Sequence, residues 1–126
     1  MKNAEDSFVR GRIRSLKFAF KGAWLLLTTE DSIKAQVIMA IIITVLGCFF
    51  NISNIEWMLQ FLVIGMVLVA ESLNTAVEKI ADFVHPDYHE KIGFIKDIAA
   101  GAPTFAGITS LIVAGFIYFP KINLLF

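Results

Sequence analysis

Glu71, Asn74, Glu78 and Asp82 succeed one another at helical spacing. On a helix that advances 100° per residue they fall at roughly 0°, −60°, −20° and +20°, one polar stripe aimed at one neighbour. Hard divalent cations such as Mg²⁺ are typically held by one or two carboxylates plus substrate phosphates. Phosphoryl transfer chiefly requires positioning, charge neutralisation and a group that orients or deprotonates the attacking hydroxyl. The stripe, with Glu30 and the adjacent Lys96-Asp97 at comparable depth, can supply all three. Intramembrane acids also build proton relays and ion pathways, and a polar stripe can simply pack a bundle. The residues by themselves leave phosphoryl transfer, ion or proton transport, and structural packing open. Neither GxxxxGK[ST] nor GxGxxG occurs, so any nucleotide site is built differently from those of the soluble kinases.

The elements that carry these groups must be membrane helices. The chain has 126 residues, 57% of them hydrophobic and 17% charged, with mean hydropathy +0.73, too apolar for an ordinary soluble domain of this size. Fourteen uncharged residues, Trp57 to Ala70, precede Glu71, whereas a crossing needs about 20. A span here therefore carries Glu71 to membrane depth or to its edge, where ionisable groups are costly and usually functional.

Residues 8–27 place Phe8, Ile13, Leu16, Phe20 and Trp24 at helix-like spacings, with Arg10, Arg14, Lys17 and Lys21 largely on another face. This predicts an amphipathic helix at the membrane surface, basic side towards anionic headgroups. A first span is expected over about 30–50, ended near Asn51-Ile52-Ser53-Asn54, and a second over about 55–84, stopped by His85-Pro86-Asp87. The third, about 91–119, contains 22 uncharged residues from Ile98 to Phe119, and Pro120-Lys121 is predicted to end it. Its small residues, with Ala102, Ala106, Ser110 and Ala114 at four-residue spacing, suit close helix packing, and Pro103 should kink it. The expected fold is a single all-α membrane domain over 1–126.

Seven of the 11 basic residues lie in the first 34 positions, while the 51–56 turn has no Lys or Arg and the 79–96 connection has three. The positive-inside rule then puts the N-terminus and the second loop in the cytoplasm, with the acids on the side where ATP and Mg²⁺ are found. No cleaved leader is expected, because those basic residues interrupt any apolar core. Cys48, the only cysteine, excludes an intrachain disulfide and a thiolate metal cluster. His85 reads as a helix-end residue, and His89 as a loop histidine, solvated or against a nucleotide.

Glu71-Ser-Leu-Asn74-Thr-Ala-Val-Glu78, Asp87-Tyr88-His89-Glu90 and Lys96-Asp97-Ile-Ala-Ala-Gly-Ala, with Lys21-Gly22 and Glu30, stand in order and without gaps. Over roughly residues 10–120 the chain resembles the small bacterial integral-membrane diacylglycerol kinase and undecaprenol kinase family. The resemblance implies a homotrimer of three-span subunits in the bacterial inner membrane. Its active sites would lie between subunits and transfer the γ-phosphate of Mg-ATP to the primary hydroxyl of a membrane lipid alcohol, with no role for nucleic acid. By the family's motif Glu71 resembles the catalytic base, Asn74 a residue that orders the site, and Glu30 and Glu78 the Mg²⁺ ligands. Lys96 and Asp97 are similar to the phosphate and nucleotide contacts, and Asp87, Tyr88 and His89 to the loop over the nucleotide. The sequence departs from the family pattern at three places. Gly11 stands in register with an arginine flanked here by Arg10 and Arg12, Phe18 replaces a tyrosine at a nucleotide-facing position, and Gln36 replaces a glutamate. Ala99-Ala100-Gly101-Ala102 and Phe119-Pro120-Lys121 look more like the undecaprenol branch than the diacylglycerol branch.

Overall fold

The computed structural model describes residues 4–126, with side chains from residue 7 onwards. The described residues form four helices, α1 (Ala4–Thr29), α2 (Asp31–Phe50), α3 (Asn54–Val84) and α4 (Glu90–Leu125). They divide into two compact units, one up to residue 34 and one over residues 35–126.

In the first unit, α1 is longer than the 8–27 segment expected for a surface helix, running 26 residues. Thr28 and Thr29 end it by turning their hydroxyls back to Trp24 O (2.9 Å) and Leu25 O (2.6 Å), a local alternative to the helical ladder. The interruption at Glu30 is slight. Glu30 N still donates to Leu26 O at 3.2 Å, and Lys34 N donates to Glu30 O at 3.1 Å.

In the second unit, α2 ends in a Schellman turn. Asn51 takes φ 51°, a conformation asparagine tolerates better than most residues. Ile52 N donates to Gly47 O at 3.2 Å and Asn51 N to Cys48 O at 3.3 Å. Two residues later a capping box starts α3: Glu56 N donates to Ser53 Oγ (3.2 Å) and Ser53 N to Glu56 Oε1 (3.0 Å), satisfying two N–H groups that a helix start leaves unpaired. This tight reversal gathers an apolar core of Ile52, Ile117 and Tyr118, flanked by Phe50, Trp57, Val113 and Ala114. Gly47 lets the Trp57 ring approach, since a Cβ there would stand 2.6 Å from it.

Buried polar groups in this end are paired. Tyr118 OH donates to Gln60 Oε1 and lies 3.1 Å from Ile43 O, which also accepts from Gln60 Nε2 at 3.3 Å. The bonds join α2, α3 and α4 where unpaired groups would be costly. Beside them Lys121 Nζ meets Glu56 Oε2 at 2.7 Å.

α2, α3 and α4 are each long and apolar enough to cross a membrane. α3 has 31 residues, roughly 46 Å at 1.5 Å each, against a hydrocarbon core of about 30 Å. Its Glu71–Val84 half thus extends beyond the apolar section that precedes it. The expected starts and ends of these helices agree with the structure to within a residue, with one exception. Pro120-Lys121 does not end the last helix: α4 runs to Leu125 with Pro103 and Pro120 both inside it. Proline removes one N–H, but Lys121, anchored to Glu56 and donating back to Ile117 O at 3.0 Å, holds that turn in helical form.

Candidate active site

α3 and α4 pack along their lengths, and the polar stripe of α3 grades from buried to exposed along that contact. Asn74 is buried and 8% exposed, Glu71 and Glu78 are half-buried, and Asp82 is exposed. Thr75 turns its hydroxyl onto Glu71 O at 3.0 Å, and Ser72 onto Leu68 O at 2.7 Å, so both small polar groups are absorbed by their own helix. The Glu71 carboxylate thus sits one turn from Asn74 and two from Glu78, with the intervening hydroxyls turned inwards.

Asn74 Nδ2 donates to Glu78 Oε1 at 3.2 Å. Its Oδ1 is buried and, among the described residues, has no hydrogen-bond partner. A buried unpaired acceptor costs about 1–3 kcal/mol, so this oxygen is unlike the rest of the buried polar atoms and points to a group supplied from outside the chain. The donor set here, a carboxylate and an amide oxygen, is all hard oxygen and suits Mg²⁺ rather than a softer metal. Among the described residues no three His, Cys, Asp or Glu side chains cluster tightly enough to enclose a metal by themselves. A cation that completes its shell with water and phosphate oxygens fits such a partial set.

One turn beyond Glu78, Asp82 Oδ1 receives the Lys96 ammonium of α4 at 2.5 Å. Lys96 in turn lines a cavity of about 250 Å³ with His85, Asp87, Tyr88, His89 and Gly93. The loop that shapes it is set by two imidazoles. His85 Nδ1 lies 2.7 Å from the carbonyl of Asp87 and so carries the proton of that bond. His89 caps α4, its Nδ1 accepting from Lys91 N at 3.0 Å, and the two rings meet edge-on at 5.3 Å. Tyr88 stands 89% exposed beside them.

The expected site residues therefore fall into groups. Asn74 and Glu78 touch, with Glu71 on the same helix face; Asp87, Tyr88, His89 and Lys96 share one cavity; Asp97 follows Lys96 on α4 and is exposed. Phe18, 64% exposed, and Glu30 belong to the first unit. Asp82, a member of the stripe, makes a contact that motif order does not show: its pairing with Lys96, 14 residues on, depends on how α3 and α4 align. His85 likewise does more than end a helix. A second cavity, about 350 Å³, is lined by α2, α3 and α4 almost wholly with apolar side chains, among them Met39, Ile64, Val67, Leu68 and Leu111. Val67 is one helical turn before Glu71.

The sequence profile of a family described as prokaryotic diacylglycerol kinase matches residues 17–118. An undecaprenol kinase of Bacillus subtilis (strain 168) is 33% identical over 109 residues, covering 86% of this chain and 89% of that protein. A diacylglycerol kinase of Escherichia coli (strain K12) is 27% identical over 115 residues, 89% of this chain and 91% of its own. A diacylglycerol kinase of Helicobacter pylori (strain ATCC 700392 / 26695) is 30% identical over 86 residues, 68% of this chain and 65% of its own.

Proposed function

This chain belongs to the prokaryotic diacylglycerol kinase family and is a membrane lipid kinase, and from that premise we propose that it transfers the γ-phosphate of ATP to the hydroxyl of undecaprenol. The observation that carries the site assignment is Asn74, buried with one end on Glu78 and the other without a partner among the described residues, one turn from Glu71 and inside the matched region.

Glu71 is the base. Its carboxylate accepts the proton of the lipid hydroxyl as that oxygen bonds to the γ-phosphorus, the bond from phosphorus to the bridging oxygen breaks, and ADP leaves. Such transfer depends mostly on alignment and charge neutralisation. Asn74 holds Glu78 in one orientation, and Glu78 would hold Mg²⁺, a ligand role that the family's motif gives to Glu30 as well. The cation, when bound, offsets the negative charge of the phosphates. Lys96 adds a cationic contact to the transferring group, and Asp97 with the loop of Asp87, Tyr88 and His89 receives the nucleoside; the family's motif makes Phe18 a further nucleotide-facing position. The apolar cavity that begins one turn from Glu71 suits the hydrocarbon part of an acceptor whose hydroxyl sits at the interface.

The remainder of the reading rests on the charge pattern of the sequence and on the family resemblance. The basic α1 lies on the membrane surface with its N-terminus cytoplasmic, the site opens to the cytoplasmic side of the bacterial inner membrane, and the working form is a homotrimer. Identity to the undecaprenol kinase is higher than to the Escherichia coli diacylglycerol kinase, and Ala99-Ala100-Gly101-Ala102 favours the same acceptor. The deciding experiment incubates the purified protein with γ-labelled ATP, Mg²⁺ and separate micelles of undecaprenol and diacylglycerol. Label in undecaprenyl phosphate at the higher kcat/KM supports the assignment; preference for diacylglycerol reverses the acceptor, and label in neither lipid defeats the reaction.

A further inference from the structure

We propose that Asp82 is a positioning residue that holds the Lys96 ammonium between the carboxylate stripe of α3 and the loop cavity, ready to contact the phosphates of the nucleotide. The inference rests on the reading of Lys96 as a phosphate contact. Two features carry it. The first is geometric. Asp82 is one turn beyond Glu78 on the same face of α3, while Lys96 lines the cavity formed by His85 to His89, so their ion pair at 2.5 Å sits where the two groups of site residues adjoin. The second is energetic. Both side chains are well exposed, 37% for Lys96 and 57% for Asp82, and ion pairs in water contribute little to folding. The fold does not need this contact.

What the pair does supply is order in a long side chain. Lysine has a flexible four-carbon stem with substantial rotamer entropy, and fixing it before the nucleotide arrives lowers the cost of binding. Asp82 does not use up the ammonium, which has three N–H donors; one held by Asp82 leaves two for phosphate oxygens.

Asp82→Asn separates this role from simple charge. Removing a negative charge near an anionic ligand should tighten Mg-ATP binding if Asp82 acts only through its field. Acting through Lys96, the substitution instead weakens binding by about fivefold, the upper range for an exposed pair, and Asp82→Glu restores part of it. The test measures the Mg-ATP dissociation constant, and KM against kcat, in four proteins: wild type, Asp82→Asn, Lys96→Met and the double variant, with thermal unfolding as a control. The expected pattern is a weakened Asp82→Asn, an unchanged melting temperature, and no further loss when Asp82→Asn is added to Lys96→Met. Tighter binding in Asp82→Asn, or the same fold-loss in both backgrounds, overturns the proposal. Wild-type affinity in Lys96→Met overturns it at its premise, and so identifies the phosphate assignment as the part that failed.

Discussion

Replacing Asn74 with leucine should separate the chemistry of this protein from its stability. The side chain is 8% exposed, donates to Glu78 at 3.2 Å, and keeps a buried Oδ1 with no partner among the described residues. Loss of a hydrogen bond to a charged acceptor costs about 1.5–3 kcal/mol, and removal of a buried unpaired oxygen returns about 1–3 kcal/mol. Leucine has the same number and branching of side-chain heavy atoms as asparagine, so no cavity term enters, and Glu78 is half-buried and can take water in place of the lost donor. The two terms cancel to within about 1 kcal/mol. Activity has no such compensation: residues that orient a metal-binding or catalytic group typically cost 10- to 100-fold when lost. The expected result is a denaturant midpoint near that of wild type in detergent micelles, with lipid phosphorylation slowed by about 10- to 100-fold. The reasoning fails if Asn74→Leu loses more than about 2 kcal/mol of unfolding free energy, because the orphan oxygen would then be satisfied in the working protein by something structural. It fails equally if turnover stays within about threefold of wild type.

Glu71→Gln should lower kcat by about 10²- to 10⁴-fold, the usual contribution of a general base, without moving the melting temperature; near-normal turnover would remove Glu71 from the chemistry. Glu78→Gln should raise the Mg²⁺ concentration needed for half-maximal rate by tenfold or more, and an unchanged titration would place the metal elsewhere. Tyr118→Phe leaves Gln60 Oε1 without its donor and should cost about 1–3 kcal/mol of stability while leaving the KM for ATP as it was; a shifted KM with unchanged stability would mean the tyrosine end of the bundle communicates with the site.

Much of this arrangement is local and so is written in the chain order. Fourteen uncharged residues, Trp57 to Ala70, directly before Glu71 mark α3 as a helix apolar enough to cross a membrane and put its first acid after the capping Glu56 at the end of the apolar run. Helical phase alone brings Asn74 onto Glu78, because residues four apart on a helix are neighbours whatever surrounds them. The ends of α2 and α3 were legible for the same reason, being set by nearby asparagines, a serine and a proline. The C-terminal end of α4 was not. Whether Pro120 stops a helix depends on what the next turn can hold, and Lys121 holds Glu56, 65 residues away in sequence.

Sequence by itself determined the family, the helices that carry the carboxylates and the face they share, since periodicity and motif order are properties of one segment at a time. Tertiary structure decided which residues of different helices meet: Lys96 with Asp82 rather than with Glu71 or Glu78, Tyr118 with Gln60, and His85 in the wall of the loop cavity. Those pairings follow from the rotation and offset of one helix against another. They are fixed by the sum of many weak packing contacts along both surfaces, and no single stretch of sequence records that sum.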